Sequence, residues 1–489
     1  MAYSVLPPIF RLSGLSSRVI AGTNGFHPDR WFCSTKRLLF IVGMIGTLFL
    51  SRPLVAAEVV HRNCQIRSTT FDGWDAEEVS NEWLQLTIVK RLGGRLMQVA
   101  FAGHPYLFVN PKYKGQYIPP EQANGQWFNY GGDKIWPLPE GHGDEQHWPG
   151  PLADQLDDGA YDLTTVSQAP FCAIRLDGPP DPRTGLQYSR QISITRNSPQ
   201  ILFHAVMKNA TTHPIRWSMQ SVTQYDTSDV HNPGQYNRDF WALTPVNPLS
   251  AYFNGYQVRS GLADDPSFAV SDGLFKLHWA YLENEVWLDT NAGWVAVVDG
   301  ASQFAMVERS QYFNGAEYPG KATTIFYKNG ASLELDQSGM PILRSAGVET
   351  TPYYMEAEIN SPMVALPPGQ TYAMDTGWFP TRADRQLRDV TSSGVILTPF
   401  SVTPSGDKLL LSGSFGIFFP GKLRAHLLEA NGTVRQTVDV ESVDPRTRVD
   451  LRKEIALRSQ PSRISLHLVD DQGVDRGTLG EAAVPSTQP

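Results

Sequence analysis

The chain has 489 residues, 41% of them hydrophobic and 18% charged. That is too long for one ordinary domain, and it is the composition of a globular protein with a substantial core. The formal net charge of −8 excludes the basic footprint that nucleic-acid binding requires.

The first feature in chain order is an export signal. Lys36 and Arg37 precede the apolar run Leu38–Leu50, and Val55-Ala56-Ala57 offers the small residues of a cleavage site before Glu58. The run is too short to span a bilayer of about 30 Å comfortably as a helix. Residues 1–57 are therefore set apart as a signal or targeting segment. The expected location is the periplasm or the outside of a bacterial cell, with no stable transmembrane segment after processing. Of the three cysteines, Cys33 lies in the signal, leaving Cys64 and Cys172. An oxidising compartment would permit them to pair, but spacing alone does not decide it. Zinc-type Cys-x-x-Cys spacings are absent, and neither metal nor cofactor is expected.

From residue 58 to 382 the pattern is short strands and turns. In Trp83–Val89, Leu84, Leu86 and Ile88 alternate with Trp83, Gln85 and Thr87; in Ile201–Lys208, Ile201, Phe203, Ala205 and Met207 form one stripe. Period-two alternation marks a strand with one buried face. Arg216–Tyr225, Gly293–Val298, Phe304–Glu308, Tyr353–Ile359 and Tyr372–Phe379 read the same way. The gaps carry the Gly, Pro, Asn and Asp of turns. No long window has helical periodicity, so the fold class is all-β.

All 11 Trp beyond the signal lie before residue 380. The polar stretch 383–393 reads as a linker. Residues 394–485 then give six short strands, suited to a small immunoglobulin-like β-sandwich. Residues 486–489 read as a tail.

The most unusual segment is Trp127–Glu140, WFNYGGDKIWPLPE. Its two glycines followed by Asp133 and Lys134 predict a tight turn presenting an anion and a cation side by side, flanked by Trp127 and Trp136. A sugar offers hydroxyls to charged groups and a C–H face to an aromatic ring, and this set answers both demands. A turn with a surface ion pair and core aromatics is the alternative.

Asn129-Tyr130-Gly131-Gly132-Asp133-Lys134-x-Trp136-Pro137 resembles the signature of a bacterial family, domain-of-unknown-function family 4380. Gly93-Gly94-Arg95 before it resembles that family's early motif, and Glu356-x-Glu358, Ser361-Pro362 and Leu366-Pro367-Pro368-Gly369 come after it in the family's order. The resemblance spans roughly residues 58–379. It implies a galactose-mutarotase-like β-supersandwich with a sugar-handling ancestry.

Glu356 and Glu358 share one strand face, roughly 7 Å apart. Such a pair could divide acid and base roles, or simply form a solvated face. The resemblance implies a catalytic Glu base on a late strand, and Glu356 is the choice, with Glu358 second. It also implies a His acid after a central strand. The matching stretch Arg216–Asp226 holds Gln220 and Gln224 and no His; an amide hydrogen-bonds a sugar but is no proton donor. Asp289 is a further candidate hydroxyl acceptor, against the plainer reading of a turn Asp. The expected function is an exported carbohydrate-handling protein, epimerase- or mutarotase-like at an anomeric centre. The alternatives are a carbohydrate-binding protein without turnover and an envelope structural protein. The expected partner is a carbohydrate or glycan.

Overall fold

A computed structural model describes residues 63–485, apart from 142–143, 145, 151–153, 336–337, 339–340, 345–352 and 458–459. The segment 1–57 expected as an export signal, the residues up to 62 and the tail 486–489 lie outside the described residues. The protein is all-β, with three short 3₁₀ turns and no α-helix among the described residues. No helix there is long and apolar enough to cross a membrane.

Two large antiparallel sheets form the expected supersandwich. The path of the twelve-stranded sheet runs through Gln65–Phe71, Trp74–Ser80, Leu84–Val89, Arg95–Phe101, Asp133–Leu138, Ile215–Asp226, Tyr354–Asn360, Thr324–Lys328, Asn284–Leu288 and Gln257–Gly261. The ten-stranded sheet has Thr371–Arg382 near its centre, between Phe304–Ser310 and Ile201–Asn209. The apolar stripes read from sequence point between the sheets. Ile201, Phe203, Ala205 and Met207 are buried in one cluster with Leu86, Ile88, Met219, Ala357 and Ile359. Cys64, just before the first strand of one sheet, is joined by a disulfide to Cys172 in the other, with Cα atoms 5.8 Å apart.

From Gly394 the chain builds two four-stranded sheets, the small immunoglobulin-like sandwich. Segment 383–393, expected as a polar linker, instead buries Ala383, Leu387 and Val390. They join a core that Trp294, Val307 and Phe379 of the ten-stranded sheet share with Val395, Phe415 and Phe418. Thr381 donates its hydroxyl to the carbonyl of Ile417 at 2.8 Å.

One local expectation is corrected. The turn before Lys134 is Gly131-Gly132, both with positive φ (96° and 76°). A Cβ on Gly131 would stand 2.2 Å from the carbonyl oxygen of Phe108, so only glycine permits the approach. Asp133 and Lys134 belong to the strand that follows. Alternation therefore sends them to opposite faces.

Candidate functional site

Lys134 points to the face of the twelve-stranded sheet turned away from the inter-sheet core. The register places Lys134, Val222, Glu358, Ile325, Trp287 and Gln257 in one row across six adjacent strands. The next row on the same face is Gln224, Glu356, Tyr327 and Glu285. On the other side of Lys134, Trp136 lies opposite Gln220. Residues distant in sequence thus converge because every strand contributes alternate positions to this face.

The charged centre is compact. Lys134 Nζ is 3.6 Å from Glu356 Oε1, 4.3 Å from the centre of the Trp136 ring and 5.9 Å from that of Trp127. The ammonium makes no hydrogen bond within the described protein. Burial lowers its pKa, opposed chiefly by the Glu356 charge. Gln224 donates to Glu356 Oε1 at 2.5 Å, and Gln220 donates to Glu358 Oε2. Burial, then the charges of Glu356, Glu285 and Glu140, holds Glu358 well above the ordinary carboxylate range. The surroundings of Glu358 thus favour its protonated form, while the neighbouring Glu356 has Lys134 beside it.

Behind the centre, Asp157 orients the aromatic wall. It accepts from the indole N–H of Trp136 at 2.8 Å and of Trp127 at 2.9 Å. Arg95 bonds the same carboxylate at 2.8 Å. Lys134, Glu356 and Glu358 are almost closed off from solvent, each 6% exposed or less. Half-buried Trp127, Tyr327, Glu285 and Trp287 and the exposed Glu140 form the rim. Burial raises Glu285. Glu140 packs against Gly150.

The structure thus gathers Lys134, Trp136, Trp127, Gln220, Gln224, Glu356 and Glu358. It does not gather Asp133 or Asp289. Asp133 is wholly buried on the opposite face, paired with Arg190 and accepting from Thr223 at 3.0 Å; strand alternation removes it from the face that carries Lys134. Asp289 accepts from Ser250 Oγ at 2.6 Å and the Ala251 amide at 2.7 Å, so its carboxylate ties down the 250 loop. Glu140, Glu285, Tyr327, Trp287 and Asp157 escaped the sequence reading. The alternation of Glu285 and Trp287 with Asn284, Val286 and Leu288 was the available signal for two of them.

No family model and no curated protein matches this chain. Among solved structures it is similar to a galactose mutarotase-like protein from Clostridium acetobutylicum (TM-score 0.42, 8% identity, covering 65% of this chain and 99% of that one). It is also similar to a galactose mutarotase related enzyme from Lactobacillus acidophilus (TM-score 0.40, 11% identity, 63% and 98% covered). A third is a TPR-domain containing protein from Parabacteroides distasonis (TM-score 0.41, 12% identity, 63% of this chain). The chain spans about half of that protein, 47%.

The arrangement holds a carboxyl whose surroundings favour its protonated form, a second carboxyl paired with a lysine, two amides and two indoles around one point. That set can bind hydroxyls and an apolar ring face together, and can give a proton at one place while taking one at another.

Proposed function

We propose that this protein is exported, binds a carbohydrate and acts at its anomeric centre, with Glu356 as base and Glu358 as acid. The observation that carries the reading is the unequal surroundings of two carboxyls on one sheet face: Lys134 lies 3.6 Å from Glu356, while Glu358 accepts from the neutral amide of Gln220. Among the described contacts, Lys134 and Gln224 both engage Oε1 of Glu356, which leaves Oε2 for the anomeric hydroxyl. In this mechanism Glu356 takes the proton from that hydroxyl as Glu358 gives its own to the ring oxygen. The bond from the anomeric carbon to the ring oxygen breaks and an open-chain aldehyde forms. Rotation and the reverse transfers close the ring in either configuration. Glu358 would thus supply the acid for which Arg216–Asp226 offers no histidine.

The Cys64–Cys172 bridge supports export to the periplasm or beyond, since such bridges persist in oxidising compartments. The motif resemblance to family 4380 belongs to the same reading. A carbohydrate-binding protein without turnover is the second reading, favoured by the amide hydrogen bonds from Gln220 and Gln224 that already occupy both carboxyls.

Anomer-exchange NMR on a bound aldose tests the proposal. Accelerated exchange that Glu356→Gln abolishes supports it. Binding without acceleration leaves the second reading. Absence of any sugar binding removes both.

A further inference from the structure

The row through the site runs from a closed end to an open one. Lys134 and Glu358 are nearly inaccessible, Trp287 is half-buried, and Gln257 is exposed. Six strands at a spacing of about 4.8 Å give the row a length of roughly 24 Å. A single pyranose ring covers little more than one strand spacing, so the row is much longer than a monosaccharide needs.

At its open end lies a hollow of about 450 Å³, lined by Tyr252, Phe253, Asn254, Tyr256, Gln257 and Lys321 among others. That volume falls within the usual range for ligand sites. The hollow is joined to the row twice. Gln257 is the cross-strand neighbour of Trp287. Gly320, also in the lining, lies so close to Trp287 that a Cβ there would stand 2.0 Å from the indole ring. Its wall is held in place: Tyr252 donates its hydroxyl to the carbonyl of Gly320 at 2.7 Å, and Asp289 grips Ser250 and Ala251. Arg259 lies 4.4 Å over the Trp287 ring and brings a fork of donors to the same stretch. The ring of Phe253 is completely exposed, at 101%. A large apolar side chain so placed has no role in the core. Aromatic rings beside two amides and an ammonium, with no carboxylate in the lining, suit the C–H faces and hydroxyls of a neutral sugar.

We propose that the ligand is an oligosaccharide or polysaccharide end rather than a free monosaccharide. The terminal residue occupies the closed end at Lys134, Glu356 and Glu358. The following residues pass Trp287 and Arg259 and rest on Phe253 and Tyr252 in the hollow. This rests on the carbohydrate reading above and adds a second, independent binding region to it.

The test is calorimetric titration of the full chain with malto-, cello-, chito- and xylo-oligosaccharide ladders, from monomer to hexamer. In one ladder, affinity is expected to rise about tenfold or more between monomer and tetramer. Phe253→Ala is expected to remove that rise while leaving the monomer affinity unchanged, and Phe253→Trp to keep it. Because Phe253 is fully exposed, neither variant threatens folding. A ladder with equal affinity at every length, or a length dependence that survives Phe253→Ala, overturns the extended site and leaves the carbohydrate reading intact. Failure to bind any member of any ladder overturns both.

Discussion

Lys134 and Glu356 meet across one intervening strand, ammonium to carboxylate at 3.6 Å, both buried. A buried pair of this kind is costly to break from one side, because the remaining buried charge is left without an opposite charge and largely without water. Lys134→Met is expected to cost about 3–5 kcal/mol, measured by urea unfolding. Lys134→Met combined with Glu356→Gln should recover most of that loss, since the double change leaves no stranded charge. Full additivity of the two single effects would refute the coupling.

Glu358→Gln preserves shape but cannot deliver a proton. If Glu358 is the acid, anomer exchange should fall by about 10²–10⁴-fold while sugar affinity changes little. The pH profile discriminates further. Wild-type exchange should decline as pH rises through the elevated pKa of Glu358, and the residual rate of the variant should lack that alkaline limb.

Stability should fall from mildly acid to mildly alkaline pH. Burial raises Asp154 to about 7 and Asp158 and Glu308 to about 8, and Glu358 also upward. Each binds a proton in the folded state that the unfolded chain has already lost above its ordinary carboxylate pKa. The folded state therefore holds more protons between about pH 4.5 and pH 8. The unfolding free energy declines with pH across that window. Differential scanning calorimetry should find the Tm several degrees higher at about pH 5.5 than at about pH 8; a Tm that rises over this interval would contradict the assignment.

The disulfide closes a loop of 108 residues and ties the two large sheets together at Cys64 and Cys172. On the chain-entropy account a loop of that size gives about 4–5 kcal/mol. Cys64→Ser with Cys172→Ser, or reductant on the wild type, should lower the Tm markedly, and the variant should no longer respond to reductant.

Asp157 receives two indole N–H groups that no other described residue accepts. Asp157→Ala leaves both without a partner, at a cost of about 1–3 kcal/mol each, and frees the Trp127 and Trp136 rings. Sugar affinity should weaken, and tryptophan fluorescence should shift even without ligand. Asp157→Asn keeps an acceptor and should retain part of the affinity.

Much of the fold was legible because strands advertise themselves locally. Ile201, Phe203, Ala205 and Met207 alternate without interruption, and they are buried as one stripe. Glu356 and Glu358 could be paired on one face by the same arithmetic. The strand Asp133–Leu138 was hidden for a physical reason: it begins at two turn-forming glycines and carries Pro137, which cannot donate to a ladder. Reading it as a turn put Asp133 beside Lys134 rather than behind it. Asp157 sits in an acidic loop that looks solvated until Trp127, Trp136 and Arg95 are brought to it from elsewhere in the chain. Glu285 and Trp287 became site residues only through pairing of their strand with Thr324–Lys328. Such pairing joins distant segments and leaves no local trace.

The core shared by Phe379, Trp294 and Phe418 constrains how this chain comes into being. When the ten-stranded sheet closes, its outward side is still an oily wall, and the segments that cover it leave the ribosome only after it. A nascent chain paused near residue 390 would therefore be sticky, and proteolytic removal of the C-terminal strands should yield an aggregating remnant instead of two soluble pieces.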